Sequence, residues 1–173
     1  MSPIQPSIIP ALALLQAYGS GSGYADCFVT EVAGAKSFES FVEAFYTTPL
    51  FKVERAILHW LASRPSSDQE ARDLSTGACS RFAAWKVEDR SSNQLLLVDL
   101  TGRTRSWLMA EPFEEPAGTR GTRLYFGSAV VPRKNRSTGR ESMGLAFRAL
   151  LGFHKLYSRL LLRAACSRLQ SNP

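Results

Sequence analysis

The apolar positions of the chain first follow a strand pattern and then a helix pattern. Residues 24–32 (YADCFVTEV) have the aromatic and β-branched content of a strand, which ends around Gly34. The next apolar residues recur at i, i+3, i+4 and i+7, a spacing that places them on one face of a helix. These residues are Phe38, Phe41, Val42 and Phe45. The chain is therefore predicted to begin its folded part with a strand followed by a helix.

Two more helices are predicted before the next strand. Thr48 can cap the first of them, with Pro49 at the first helical position. The buried stripe of this helix is expected to be Leu50, Val53, Ile57, Trp60 and Leu61. Ser67 and Glu70 have the spacing of a capping box, and Gly77 is a suitable terminator, so a short third helix is expected between them.

From Arg81 onward the apolar period becomes two, which is typical of strands with one buried face. Four strand candidates follow one another: RFAAWKVED, NQLLLVDL, TRSWLMAEP and TRLYFGSAVVP. The connections RSSN and TGR are short and FEEPAGTRG is longer. Such connections predict an antiparallel meander.

A long helix is predicted from about residue 141 to residue 169. Its buried stripe is expected to be Phe147, Leu150, Leu151, His154, Tyr157 or Ser158, Leu161 and Ala165. Lys155, Arg159 and Arg163 follow one another at intervals of four residues, which places them together on the opposite side of the helix.

Together these elements predict an α+β domain. It consists of a curved antiparallel sheet of about five strands packed on a long C-terminal helix, with two or three short helices after the first strand. The length of 173 residues and the hydrophobic content of 45% suit one domain with one core, assigned to residues 24–173. Residues 1–23 contain three prolines and a Gly/Ser run, and are expected to form a flexible arm.

The charge distribution and the cysteines narrow the functional classes. The net charge is +6, and nine basic side chains but a single acidic one follow residue 132. This basic surface is expected to be a solvated face, with weak contact to an anionic membrane as the alternative. The sequence contains no zinc-finger, KH or RRM signature, so no specific nucleic-acid binding is expected. The three cysteines lack metal-ligand spacing, so free thiols in a cytoplasmic protein and no metal site are expected. No apolar segment approaches the roughly 20 residues of a membrane span, so the protein is expected to be soluble.

Four segments, taken in order, carry a resemblance to a known superfamily. They are AAWKVED around Trp85, GRTRSWLMAEP around Trp107, GTRLYFGSAVVP from Gly121 and LLGFHKLYSRLLLRAA around His154. Their order along residues 72–165 resembles the helix-grip fold of the START-like (SRPBCC) superfamily. More closely, the chain resembles a bacterial domain family often found behind NAD-binding, epimerase-like domains.

The resemblance implies a cavity between the sheet and the closing helix for a hydrophobic or amphipathic small molecule, without implying a known reaction. Larger members have six strands after the helices, whereas four are predicted here, so a smaller and more open cavity is expected. The Gly/Ser run at 19–23 lacks the strand–GxGxxG–helix arrangement of a dinucleotide site, and no nucleotide cofactor is expected.

Seven residues are candidates for the lining of this cavity: Trp85, Asp99, Arg105, Trp107, Tyr125, His154 and Tyr157. The aromatic side chains on strands can equally belong to the core. Asp99 and Arg105 lie within strongly apolar strands, where a charged side chain must face water, pair with another charge or bind a ligand. Arg105 is the candidate for recognising an acidic group. A three-residue turn, 101–103, would place Asp99 opposite Arg105, whereas a two-residue turn, 101–102, would separate them.

His154 has two main interpretations: a core histidine bonded to a strand carbonyl or an aspartate, or a polar contact in the cavity. In the cavity it can serve as a general acid or base with Asp99 or Arg105, because the ordinary pKa of histidine is about 6.5. Cys27, Ser106 and Ser128 supply the residue types of a Cys–His or Ser–His–Asp site, but no local signature supports one.

Three functional hypotheses follow. The leading one is a small-molecule-binding domain. The others are a small enzyme of the cyclase, hydratase or isomerase type that uses the same cavity, and an interaction module that docks by its basic C-terminal face.

Overall fold

The structure, a computed structural model, describes residues 2–20, 23–53, 66–114, 118, 120–134, 141–142 and 145–171. The helical elements are the 3-10 helix η1 (Leu14–Tyr18), α1 (Phe38–Tyr46), α2 (Asp68–Thr76) and α3 (Leu145–Ser171). Residues 49–53 are also helical. The strands are β1 (Gln5–Pro6), β2 (Tyr24–Ala33), β3 (Arg81–Phe82), β4 (Trp85–Arg90), β5 (Gln94–Asp99), β6 (Thr104–Glu114), β7 (Arg120–Val130), β8 (Arg133–Lys134) and β9 (Glu141–Ser142).

Seven strands form one antiparallel sheet in the order β1-β2-β7-β6-β5-β4-β3, and β8 pairs separately with β9. The predicted α+β architecture with a C-terminal helix on the sheet is confirmed, but seven strands replace the expected five or so. One added strand is β1, which comes from the predicted arm. The other arises at Ala83, whose positive φ of 51° divides the segment predicted as one strand into β3 and β4.

The capping signals in the sequence set the bounds of α2. Ser67 and Glu70 form the predicted capping box, which satisfies backbone N–H groups at the start of the helix. Gly77 ends the helix with a left-handed φ of 83°. Both signals are local, and both predictions are confirmed.

Helix α3 has a buried face and a charged face. Its buried residues are Ser158, Leu161, Leu162, Ala165, Cys166 and Leu169. The predicted basic face, Lys155, Arg159 and Arg163, is exposed. Other predicted core positions lie outside the described side chains: Ile57, Trp60 and Leu61, and Phe147, Leu150 and Leu151. None of the described helices combines the length and apolar character needed to cross a membrane.

The sheet separates two apolar cores because successive residues of a strand point to opposite faces. On one face, which we call the helix face, Leu108 and Phe126 pack with α1, α2 and α3. On the other, the arm face, Trp107 and Tyr125 pack with the N-terminal residues around Leu15.

Residues 9–18, part of the segment predicted to be flexible, lie along the arm face. β1 pairs with β2, and Leu15 of η1 is fully buried. Gln94 ties this segment to the sheet, since its amide donates to the Leu12 carbonyl (3.0 Å) and its Oε1 accepts from Trp107 Nε1 (3.0 Å). A Cβ at Gly127 would lie 2.6 Å from Leu15 Cδ2, so the absence of a side chain there lets Leu15 pack directly on β7.

We predict that Leu15→Ala lowers the free energy of unfolding by about 2–5 kcal/mol, because it leaves a cavity between η1 and β7. Leu12→Ala is the matched control, since Leu12 lies on the same segment but is 90% exposed, and we expect a change within about 0.5 kcal/mol. Urea unfolding of both variants measures the difference. Equal stability of the two variants would contradict a docked arm.

Candidate functional site

A cavity of about 530 Å³ lies between the helix face of the sheet and α3. Its walls are mainly apolar and include Phe51, Phe126 and Leu161. Leu156 and Leu160 of α3 also line the cavity and are exposed, so they lie at its mouth. An apolar concavity of this volume with a few polar groups is typical of a small-molecule site.

One polar row crosses the helix face. Ser106 on β6, Ser128 on β7 and Asp26 on β2 lie directly opposite one another in the sheet. Ser128 Oγ is 2.7 Å from His154 Nε2 and 2.7 Å from Asp26 Oδ1. Ser106 Oγ is 3.3 Å from the hydroxyl of Tyr46 on α1. Both helices that border the cavity are therefore hydrogen-bonded to this row.

Asp26 sets the directions of the hydrogen bonds. Its carboxylate accepts from the backbone N–H of Ser128 (3.2 Å), the Ser128 hydroxyl (2.7 Å) and the Tyr24 hydroxyl (2.7 Å). Burial and the hydrogen bond to Asp26 raise the pKa of Tyr24, which keeps the phenol a donor. Because the single hydroxyl proton of Ser128 is directed at Asp26, Ser128 Oγ accepts a hydrogen bond from His154 Nε2–H.

This arrangement differs from that of a serine nucleophile. In Ser–His–Asp catalysis the imidazole takes the serine proton and the aspartate orients the imidazole. Here Asp26 holds the Ser128 proton, and the imidazole presents an N–H to Ser128. Cys27 lies on the arm face, and burial, with a contribution from the charge of Asp26, raises the pKa of its thiol to about 12. The residue types of a hydrolase are present, but they do not form its geometry.

Four of the seven predicted residues line the cavity: Trp85, Arg105, His154 and Tyr157. Both interpretations of His154 apply, because its side chain lines the cavity and also forms a hydrogen bond with a strand residue. That residue is Ser128, through its hydroxyl. Asp26 lies further away, with Oδ2 3.8 Å from His154 Nε2.

Arg105 borders the cavity on β6, but its guanidinium lies on the arm face. Nε and Nη2 donate to the two carboxylate oxygens of Glu88 at 3.0 and 3.1 Å, and Nη1 donates to the Gly102 carbonyl. The guanidinium carbon also lies 4.5 Å from the ring centre of Tyr18. Burial raises the pKa of Glu88, but the hydrogen bonds from Arg105 and Tyr18 outweigh this effect and lower it. The charge of Arg105 is thus neutralised on the opposite side of the sheet, away from any ligand in the cavity.

Trp107 and Tyr125 also lie on the arm face, where they pack beside each other with ring centres 6.1 Å apart. The Trp107 indole is bonded to Gln94, and the Tyr125 hydroxyl donates to Glu111 (3.3 Å). Both residues belong to the core that the arm covers, and the structure does not bring them to the cavity.

Asp99 closes the turn between β5 and β6. Its Oδ1 accepts from the backbone N–H groups of Arg103 (2.8 Å) and Thr104 (3.1 Å). Val98, rather than Asp99, is opposite Arg105, which is the register of the two-residue turn. Asp99 and Arg105 therefore form neither an ion pair with each other nor an acid–base pair with His154.

Sequence reasoning missed Asp26 and Ser158 as candidates. Asp26 meets Ser128 only through the pairing of β2 with β7, across 102 residues of chain. A polar residue within the apolar pattern of β2 was the available signal. Ser158 lies one helical turn after His154, so the helix period places it on the same face.

No protein-family model matches the chain, and no curated protein matches it. The functional conclusion therefore depends on the cavity and its polar row.

We predict that neutral His154 carries its proton on Nε2, because Ser128 Oγ accepts from that atom. Long-range proton–nitrogen correlation spectra of protein labelled with nitrogen-15 distinguish the two tautomers. His59→Gln removes the only other histidine and makes the assignment unambiguous. In Ser128→Ala the preference should weaken. A proton on Nδ1 in the wild-type protein would contradict the proposed hydrogen-bond directions.

Proposed function

We propose that the chain is a binding domain of the START-like, helix-grip type that holds a hydrophobic or amphipathic small molecule between the sheet and α3. The apolar cavity of about 530 Å³ is the observation that carries the proposal. Its volume lies within the range of roughly 300–1,000 Å³ found for ligand pockets. The antiparallel sheet with a long C-terminal helix across it is also compatible with the helix-grip arrangement.

The two faces of the sheet differ in the space that they leave for a ligand. The arm face is filled by the docked N-terminal residues, and its largest side chain, Trp107, is fully buried. The helix face keeps an open cavity, although Phe41, Phe45 and Leu108 beside it are completely buried. A ligand would complete the packing of the helix face and remove apolar wall from water.

The mouth of the cavity supports an apolar ligand. Val53, Leu156 and Leu160 line the cavity, and each is exposed. Exposed apolar side chains grouped at a concavity mark a binding surface more often than scattered ones do. We also propose a cytoplasmic location, which the three free cysteines favour.

A neutral fluorophore, N-phenylnaphthylamine, tests the proposal because its emission rises when it leaves water. We expect saturable binding of one molecule per chain. Leu156→Arg at the mouth should weaken it about tenfold, the equivalent of about 1.4 kcal/mol of lost apolar contact. Leu12→Arg is the control, since Leu12 is also an exposed leucine but lies on the arm, and its substitution should leave binding unchanged.

Native mass spectrometry after gentle purification provides the second readout, by detecting any molecule that the protein retains from the cell. Two results together would refute a binding function: the wild-type protein shows no saturable fluorophore binding, and Leu156→Arg and Leu12→Arg bind the fluorophore equally weakly.

A further inference from the structure

The described part of the cavity wall offers a ligand no fixed positive charge. Among the described residues, Arg105 is the arginine that borders the cavity, and it directs its guanidinium to Glu88 on the arm face. Asp26 is fixed behind Ser128, and its carboxylate places a negative charge beside the polar row. A carboxylate ligand would therefore be desolvated without a cationic partner and would also be repelled by Asp26.

In the part of the wall that the structure describes, two polar atoms are buried without a hydrogen-bond partner. They are the Trp85 indole Nε1–H and the Ser158 hydroxyl, and both residues line the cavity. Ser158 is only 1% exposed, so water does not compensate it. A buried donor without an acceptor is costly, and an indole can only donate. Both positions therefore favour a ligand that brings an acceptor oxygen.

The distance between the polar ends of the cavity indicates an elongated ligand. Ser128 is on β7 and Trp85 is on β4, three strands apart in the sheet order. Neighbouring strands lie about 4.8 Å apart, which gives roughly 14 Å across the sheet. The cavity wall also includes the apolar side chains of Phe45, Phe51 and Phe126.

We propose that the cavity selects an uncharged, elongated apolar molecule with a carbonyl oxygen, such as a long-chain ketone or ester, over the carboxylate of the same length. The carbonyl oxygen accepts a hydrogen bond from Trp85 Nε1–H or the Ser158 hydroxyl. This inference rests on the proposed function and specifies its ligand class. It replaces the expectation that Arg105 recognises an acidic group.

Displacement of N-phenylnaphthylamine by three molecules of equal chain length tests the proposal: methyl nonyl ketone, undecanoate and undecane. At pH 8 the acid is fully ionised. We expect the ketone to bind at least about tenfold more tightly than undecanoate. Because one carbonyl oxygen can use either donor, the double variant Trp85→Phe/Ser158→Ala should weaken ketone binding about fivefold, the loss expected for one hydrogen bond, and change undecane binding less than about twofold.

Tyr125→Phe is the control variant, because it removes a hydroxyl from an aromatic residue of the arm face. It should leave all three affinities unchanged. Undecanoate binding as tightly as the ketone would overturn the selectivity while leaving the binding function intact. Ketone affinity unchanged in the double variant Trp85→Phe/Ser158→Ala would overturn the role of the two donors. Failure of all three molecules, undecane included, to displace the fluorophore would overturn the proposed function and this inference with it.

Discussion

The register of β6 against β5 and β7 decides which side chains reach the cavity. Because strand residues alternate between faces, Ser106 and Leu108 point toward the helices, whereas Arg105 and Trp107 point toward the arm. A shift of one residue would exchange the two sets and place a guanidinium in the apolar cavity. The polar row depends on the same register, since Ser106 meets Ser128 and Asp26 only when the three strands are aligned as observed.

The arm and the closing helix cover the two faces in different ways. The arm fills the arm face, since Leu15 packs against the backbone of Gly127. Gln94 forms hydrogen bonds both to the arm, at the Leu12 carbonyl, and to the sheet, at the Trp107 indole. Helix α3 is held to the sheet near its middle by the bond from His154 to Ser128, and further along by the buried residues around Leu162. The space left between these attachments is the cavity. His154 therefore stabilises the position of the helix as well as forming part of the wall.

Local signals in the sequence were sufficient for much of the fold but for less of the site. The capping box at Ser67 and the period of α3 depend on neighbours in sequence, so the bounds of α2 and the exposed basic face of α3 followed from them, whereas α3 begins at Leu145 rather than at about residue 141. The positive φ of Ala83 has no signal of its own in the sequence, and the extra strand was missed. For the site, alternation along β6 already implies that Arg105 and Trp107 share one face. Which face holds the cavity depends on where the arm docks, and that is a tertiary property.

A crystal structure of the complex with a brominated neutral aromatic ligand, such as bromonaphthalene, tests the central claim that the helix face binds and the arm face is closed. Anomalous scattering locates the bromine atom independently of how the protein and the ligand are fitted to the electron density. The account predicts one bromine peak under α3, between Phe51 and Phe126. A peak between the arm and Trp107, or no peak in crystals saturated with the ligand, would contradict it.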